Sequence, residues 1–102
     1  MARVVVMYKT PKEPAAFDRY YFATHVGIAK RIPGLRKYEV SHGAVAAPGG
    51  VSGVHLVAVL HFDDMAAVGR AFGSDEGKAA VADVGTFATG GVDILMFDQK
   101  EV

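Results

Sequence analysis

FDRYYFATHVGIAKRIPGLRKY, residues Phe17–Tyr38, decides the reading of this chain. Taking 100° per residue, Phe17, Tyr21, Thr24, His25, Ile28 and Ile32 fall on one face of a helix. Pro14 suits the first helical position, where its missing N–H is not needed, so the helix begins near Glu13. Lys30 and Arg31 sit in the last turn, where the helix dipole favours cations. Pro33 disfavours a helical Ile32, and Gly34 completes the stop. The helix therefore ends near Arg31, and a strand follows at Leu35–Val45, with Tyr38, Val40, His42 and Ala44 sharing a face.

Outward from this stretch the pattern alternates. Arg3–Lys9 is valine-rich and reads as a buried strand. Ala46–Gly53 is a turn, and Val54–Phe62 is a strand that is apolar on both faces. Asp63-Asp64 can cap a helix over Met65–Phe72. Gly73 ends it, Ser74 restarts one that runs to about Val84, and Gly85, Gly90 and Gly91 mark a loop before the strand Val92–Phe97. Strand, helix, strand, strand, helix, strand is the split βαβ, ferredoxin-like order, an α+β fold in one domain over residues 1–102. Its helices cover one sheet face. Because the second face is apolar as well, a partner sheet in a homodimer is the economical cover.

The bulk numbers bound the partners. Eleven basic residues balance eleven acidic ones, which argues against nucleic acid or an anionic membrane held by net charge. With no cysteine there are no disulfides, thiol nucleophiles or thiolate metal sites, consistent with a reducing, cytoplasmic setting. The uncharged run Gly43–Leu60 is broken by Pro48-Gly49-Gly50, Ser52 and Gly53, so it reads as two strands and a turn rather than a membrane span. Ala47–Gly53 is glycine-rich but has no P-loop lysine, and no dinucleotide-binding fingerprint occurs. Met7, Met65 and Met96 read as core.

Two blocks together resemble a family. FDRYYFATHVGIAKRIPGLRKYEV carries a tyrosine pair, Thr-His four residues on, a Pro-Gly-Leu break and a Tyr-bearing strand. LHFDDMAAVGRAFGSDEGKAAVADVGTF carries a strand end, paired acids, a small-residue helix, a Ser-acid restart, and Ala-Asp followed by Gly-x-Phe. In order and spacing they resemble the EthD family, named for a protein linked to degradation of ethyl tert-butyl ether. The resemblance implies a dimeric α+β barrel, in which two ferredoxin-like sheets close on each other, and an oxidoreductase label. One position departs: Gly27 stands where the family usually shows proline.

His25 is the sharpest chemical candidate. An imidazole in an apolar cleft can act as general acid or base, and Tyr21 one turn earlier could donate to a ligand carbonyl or oxyanion. The alternative is a packed histidine satisfied by a backbone carbonyl. Asp83 is the third candidate. An anion in the last turn of a helix needs a specific partner, either His25 or a backbone N–H of Gly85 or Thr86. Tyr8, Phe17, Tyr20, Thr24 and Ile28 are the expected ligand-lining residues. A turn centred near Pro48 would place His42 opposite His55, a pair too few for a metal site on its own, and no metal ligand set is assigned. The expected ligand is a small hydrophobic oxygenated organic molecule. A non-catalytic binding role and a haem site on His25, His42 or His55 stay open, and no cofactor is named by the residues.

Overall fold

The computed structural model describes residues 1–102. Strand β1 spans Ala2–Lys9 and buries every second residue, Ala2, Val4, Val6 and Tyr8. Strand β5, Val54–Phe62, does the same with Leu56, Ala58, Leu60 and Phe62. These are the period-two faces of two adjacent strands, and together they floor the core. Strand β2 is Lys37–Val40 and β6 is Val92–Asp98; β3 (Ala46–Ala47) and β4 (Gly50–Val51) form a separate two-residue hairpin. The four-stranded sheet has the order β2-β5-β1-β6 with every neighbour antiparallel. Because β5 runs against both β1 and β2, those two are parallel with a strand inserted between them, as a split βαβ requires.

The first helical stretch is not the uniform helix expected. Helix α1 covers Pro14–Tyr20, a π-wound turn covers Tyr21–His25, and α2 covers Val26–Ala29. The Val26 N–H reaches back to the Tyr21 carbonyl, one residue further than in an α-helix. The reason lies in the spacing of the buried side chains, Phe17, Tyr21, His25 and Ala29, each four residues apart. In a regular helix each such step drifts by about 40°, leaving Ala29 about 120° from Phe17. One extra residue in the turn takes back about 100° and keeps all four on the core side. The same rotation turns Thr24 out to solvent and moves Ile28 to the edge, against the regular-helix expectation.

Helix α2 ends at Ala29, two residues before Arg31, and turn bonds from Arg31 and Ile32 to Ile28 and Ala29 lead into the Pro33-Gly34 break. Pro33-Gly34 follows the buried Ile32, and Gly34 takes a positive φ of 80°. The strand after it is shorter than expected: β2 stops at Val40 rather than Val45, since Ser41 turns to bond Val57 and Gly43 has a positive φ of 78°. The β2–β5 register also differs by one residue. Val40 faces Ala58 and Lys37 faces His61, so His42 lies beyond the ladder and is not opposite His55.

His55 itself changes face. The β1–β5 register slips after Tyr8, which pairs with Leu56, whereas Lys9 pairs with Val54. His55 is the extra residue of this bulge, and a bulge re-aims the side chain it carries. It points to α1, with Nε2 2.7 Å from Asp18 Oδ1 and its ring 5.0 Å from that of Phe17.

Helix α3, Met65–Gly73, is capped by Asp64, whose Oδ1 accepts from the Ala67 N–H at 2.7 Å. Helix α4, Asp75–Phe87, is capped by Ser74, which accepts from the Gly77 N–H at 3.0 Å. Gly77 is required there, because a Cβ would lie 2.0 Å from the Ala71 carbonyl where α3 and α4 meet. Helix α4 ends at Phe87 rather than Val84, so Gly85 is helical and marks no loop. The extra turn brings Phe87 into the core against Tyr8, Phe17 and Tyr21.

The helices cover one sheet face. The opposite face presents Val5, Met7, Val57, Val59, Leu95 and Phe97, with nothing packed over them; Leu95 is 54% exposed and Phe97 41%. His61 shares this face and bonds Glu39 Oε1 at 2.7 Å. The methionines are not core: Met7 is half-buried on the uncovered face, and Met65 and Met96 are exposed.

Candidate functional site

The π-turn points Tyr21 and His25 at the same space. His25 is buried, and its Nδ1 lies 2.8 Å from Asp83 Oδ2 on α4. The second carboxylate oxygen, Oδ1, accepts from the Tyr20 hydroxyl at 2.6 Å. Asp83 therefore holds two donors from the facing helix, which resolves the unfavourable position of an anion near the end of α4. The hydrogen bond to Asp83 holds the Tyr20 phenol above its usual range. A carboxylate only accepts, so it selects the imidazole tautomer with its proton on Nδ1. In the neutral ring that leaves Nε2 as the unprotonated nitrogen, not engaged by Asp83.

His25 borders a cavity of about 50 Å³, lined by sixteen residues of which fifteen are hydrophobic. The cavity lies between the helices and the sheet. Val4, Val6, Ala58 and Leu60 form its floor, Ala29, Ile32, Ala80 and Val84 its roof. Tyr8, Tyr21 and Tyr38 bring phenols to it. The Tyr21 and Tyr38 hydroxyls are 2.5 Å apart, and either can be the donor. Burial raises all three phenols above their ordinary value, so they remain O–H groups. Val81, Ile94 and Met96 also line the cavity and are 50%, 40% and 45% exposed, which places its mouth between α4 and β6.

The expected residues separate into three groups. His25, Tyr21 and Tyr8 line the cavity, and Asp83 reaches it through His25. Phe17 is buried but stands behind the cavity, stacked on Tyr21 with ring centroids 5.7 Å apart and edge-on to Phe87 at 5.2 Å. Tyr20 also misses the cavity and instead holds Asp83. Thr24 and Ile28 are displaced by the π-turn; Thr24 is exposed, and Ile28 borders an outer groove with Arg31 and Asp75. Sequence reasoning does not single out Tyr38, although its alternation with Val40 on a strand facing the helices is a usable signal. His55 forms its pair with Asp18 outside the cavity, and no group of three or more histidine, aspartate or glutamate side chains is placed to hold a metal.

The family model of the EthD domain matches residues 9–91. The chain belongs to the EthD family. An uncharacterized 11.0 kDa protein in the thcB-thcC intergenic region of Rhodococcus erythropolis is 37% identical over 102 residues, covering all of this chain and 98% of that one. An ethyl tert-butyl ether degradation (EthD) family protein from Bacillus halodurans superposes with a TM-score of 0.89 at 32% identity, over 98% of this chain and 99% of that one. SnoaB, a cofactor-independent oxygenase from Streptomyces nogalater, superposes in a mutant form with a TM-score of 0.69 at 16% identity, over 99% and 94%, a likeness of fold. Within this EthD chain Gly27 is exposed in α2 with helical φ, and a methyl group added there would meet no other atom within 4 Å. Gly27→Ala is expected to stabilise the protein by about 0.5–1 kcal/mol, read as a rise of a few degrees in Tm. An unchanged or lower Tm would show that this turn needs the freedom of glycine.

Proposed function

We propose that this EthD protein binds a small, weakly polar, oxygenated organic molecule between its helices and its sheet and moves a proton on it through His25. The observation that carries this reading is the buried imidazole, fixed by Asp83 through Nδ1 and bordering an apolar cavity with Nε2 not engaged by Asp83. The carboxylate partner orients the imidazole and stabilises the cation formed when it takes a proton. The family's name supports a place in the degradation of such molecules. The oxidoreductase reading rests on the same first step, since removing a proton makes a molecule easier to oxidise. No helix is long and apolar enough to cross a membrane.

The functional unit is a homodimer closed over the uncovered sheet face. Support comes from the six apolar side chains of that face, which no part of the chain covers. A lone sheet with both faces apolar is otherwise an association hazard.

The test is a panel of small ethers, alcohols, ketones and esters presented to the protein in ligand-observed NMR, followed by turnover of those that bind. His25→Ala is expected to keep the fold and lower turnover about 10²–10⁴-fold. Equal turnover by His25→Ala would remove the proton-transfer reading, and binding without any turnover would leave a carrier.

A further inference from the structure

Resting on that reading, we infer that the cavity is built for an enolisable carbonyl compound, whose carbonyl oxygen is held by tyrosine hydroxyls and whose α-carbon proton leaves to His25. The basis is the imbalance of donors and acceptors. Tyr8 is 1% exposed, lines the cavity, and its hydroxyl has no partner in the protein. No buried side-chain polar atom is sealed off without a partner, so that hydroxyl faces the open space rather than packed atoms. In the Tyr21–Tyr38 pair one hydroxyl donates to the other, and the acceptor keeps its own proton to give elsewhere. The cavity thus offers two free O–H donors beside His25, whose Nε2 is the ring nitrogen not held by Asp83.

That set selects among small oxygenated molecules. An alcohol can meet the same groups, accepting from the phenols and donating to Nε2, but it carries no acidic carbon-bound proton for His25 to remove. A carboxylate would enter a cavity whose lining contains no arginine or lysine. A carbonyl oxygen has two lone pairs for two O–H donors and brings no charge of its own. Charge appears on that oxygen only as the proton departs, and donors aimed at developing charge act as an oxyanion hole. Tyr8 and Tyr21 have ring centroids 5.6 Å apart, and Tyr21 and His25 5.3 Å, so donors and base bound the same small volume.

The step balances without a co-reactant. The α-carbon–hydrogen bond breaks, its proton joins Nε2, and the electron pair moves to the oxygen as an enolate. Return of a proton from Nε2 to the same carbon regenerates the ketone, and return to a conjugated carbon isomerises it. At about 15 Å³ for each water, the 50 Å³ cavity holds about three waters' worth of ligand, a head group of about three or four non-hydrogen atoms. A longer tail would leave through the mouth beside Val81, Ile94 and Met96.

The experiment is exchange of the α-protons of cyclopentanone in D₂O, followed by ¹H NMR with and without protein. The wild type is expected to accelerate exchange over buffer. His25→Ala should return it to the buffer rate, and Tyr8→Phe and Tyr38→Phe should each lower it about 10–100-fold with the fold intact by circular dichroism. Exchange that survives in His25→Ala would overturn the inference, because surface groups would then be its source. Cyclopentanone that shifts the amide signals of cavity residues but undergoes no exchange would overturn the inference and leave the binding reading standing. If cyclopentanone, cyclopentanol and toluene all fail to shift those signals, the inference and the binding reading fall together.

Discussion

Asp83→Ala is expected to lower stability by about 2–4 kcal/mol, a fall of roughly 10 °C or more in Tm for a chain of this size. The Asp83 side chain is only 12% exposed and accepts two short hydrogen bonds, from Tyr20 at 2.6 Å and His25 at 2.8 Å. Removing it leaves a buried imidazole N–H without an acceptor, and each such loss costs about 1–3 kcal/mol. The Tyr20 hydroxyl can turn to water and so contributes the smaller part. Asp83→Asn separates fold from chemistry. It keeps an acceptor oxygen and the shape, so Tm should fall much less than in Asp83→Ala. It removes the anion that stabilises the imidazolium, so catalysed proton transfer should fall about 10²–10⁴-fold. Thermal melts of both variants beside one turnover assay check the pair. An Asp83→Asn protein with wild-type turnover would show that the carboxylate is structural only.

Val59→Asp is expected to convert a dimer of twice 10.8 kDa into a monomer of 10.8 kDa. Val59 is central on the uncovered face, opposite Val5 on one neighbouring strand and Glu39 on the other. In a two-fold interface each substitution appears twice, so two unpaired carboxylates enter one apolar contact and meet the existing Glu39 side chains. A loss of at least about 100-fold in dimer affinity is the expected scale, about 2.8 kcal/mol. Because Val59 points away from the helical core, the monomer should retain its circular dichroism. Light scattering at micromolar concentration reads the outcome. A wild type that is already monomeric would remove the homodimer, and a dimeric Val59→Asp would move the interface to another surface.

The order of elements and the family were legible because their signals are local. Pro14, Pro33-Gly34, Asp64 and Ser74 punctuate the chain where the helices begin and end. The His25–Asp83 pair could be posed as one of two alternatives from the dipole argument, and geometry chose between them. What escaped was set by one-residue insertions. The π-turn at Tyr21–His25 rotates Thr24 and Ile28 away, and only the four-residue spacing of Phe17, Tyr21, His25 and Ala29 hinted at it. The bulge at His55 moves that ring to the helix side, and β2 ends at Val40, so a longer connection joins it to β5 and their register shifts by one residue. Such insertions follow from tertiary packing, and a regular period carries no mark of them. Tyr38 joins the site through its hydroxyl, 2.5 Å from that of Tyr21, a contact that no spacing within one strand announces.

The central claim is that Asp83 fixes His25 so that a bare Nε2 faces the cavity. Long-range ¹H–¹⁵N correlation spectra of the imidazole side chains, assigned by comparison with His25→Ala, test it without any substrate. The expected result is a neutral His25 ring protonated on Nδ1, whose Nε2 signal moves when a small ligand enters the cavity. A neutral ring protonated on Nε2, or an Nε2 signal that no cavity ligand moves, would contradict it.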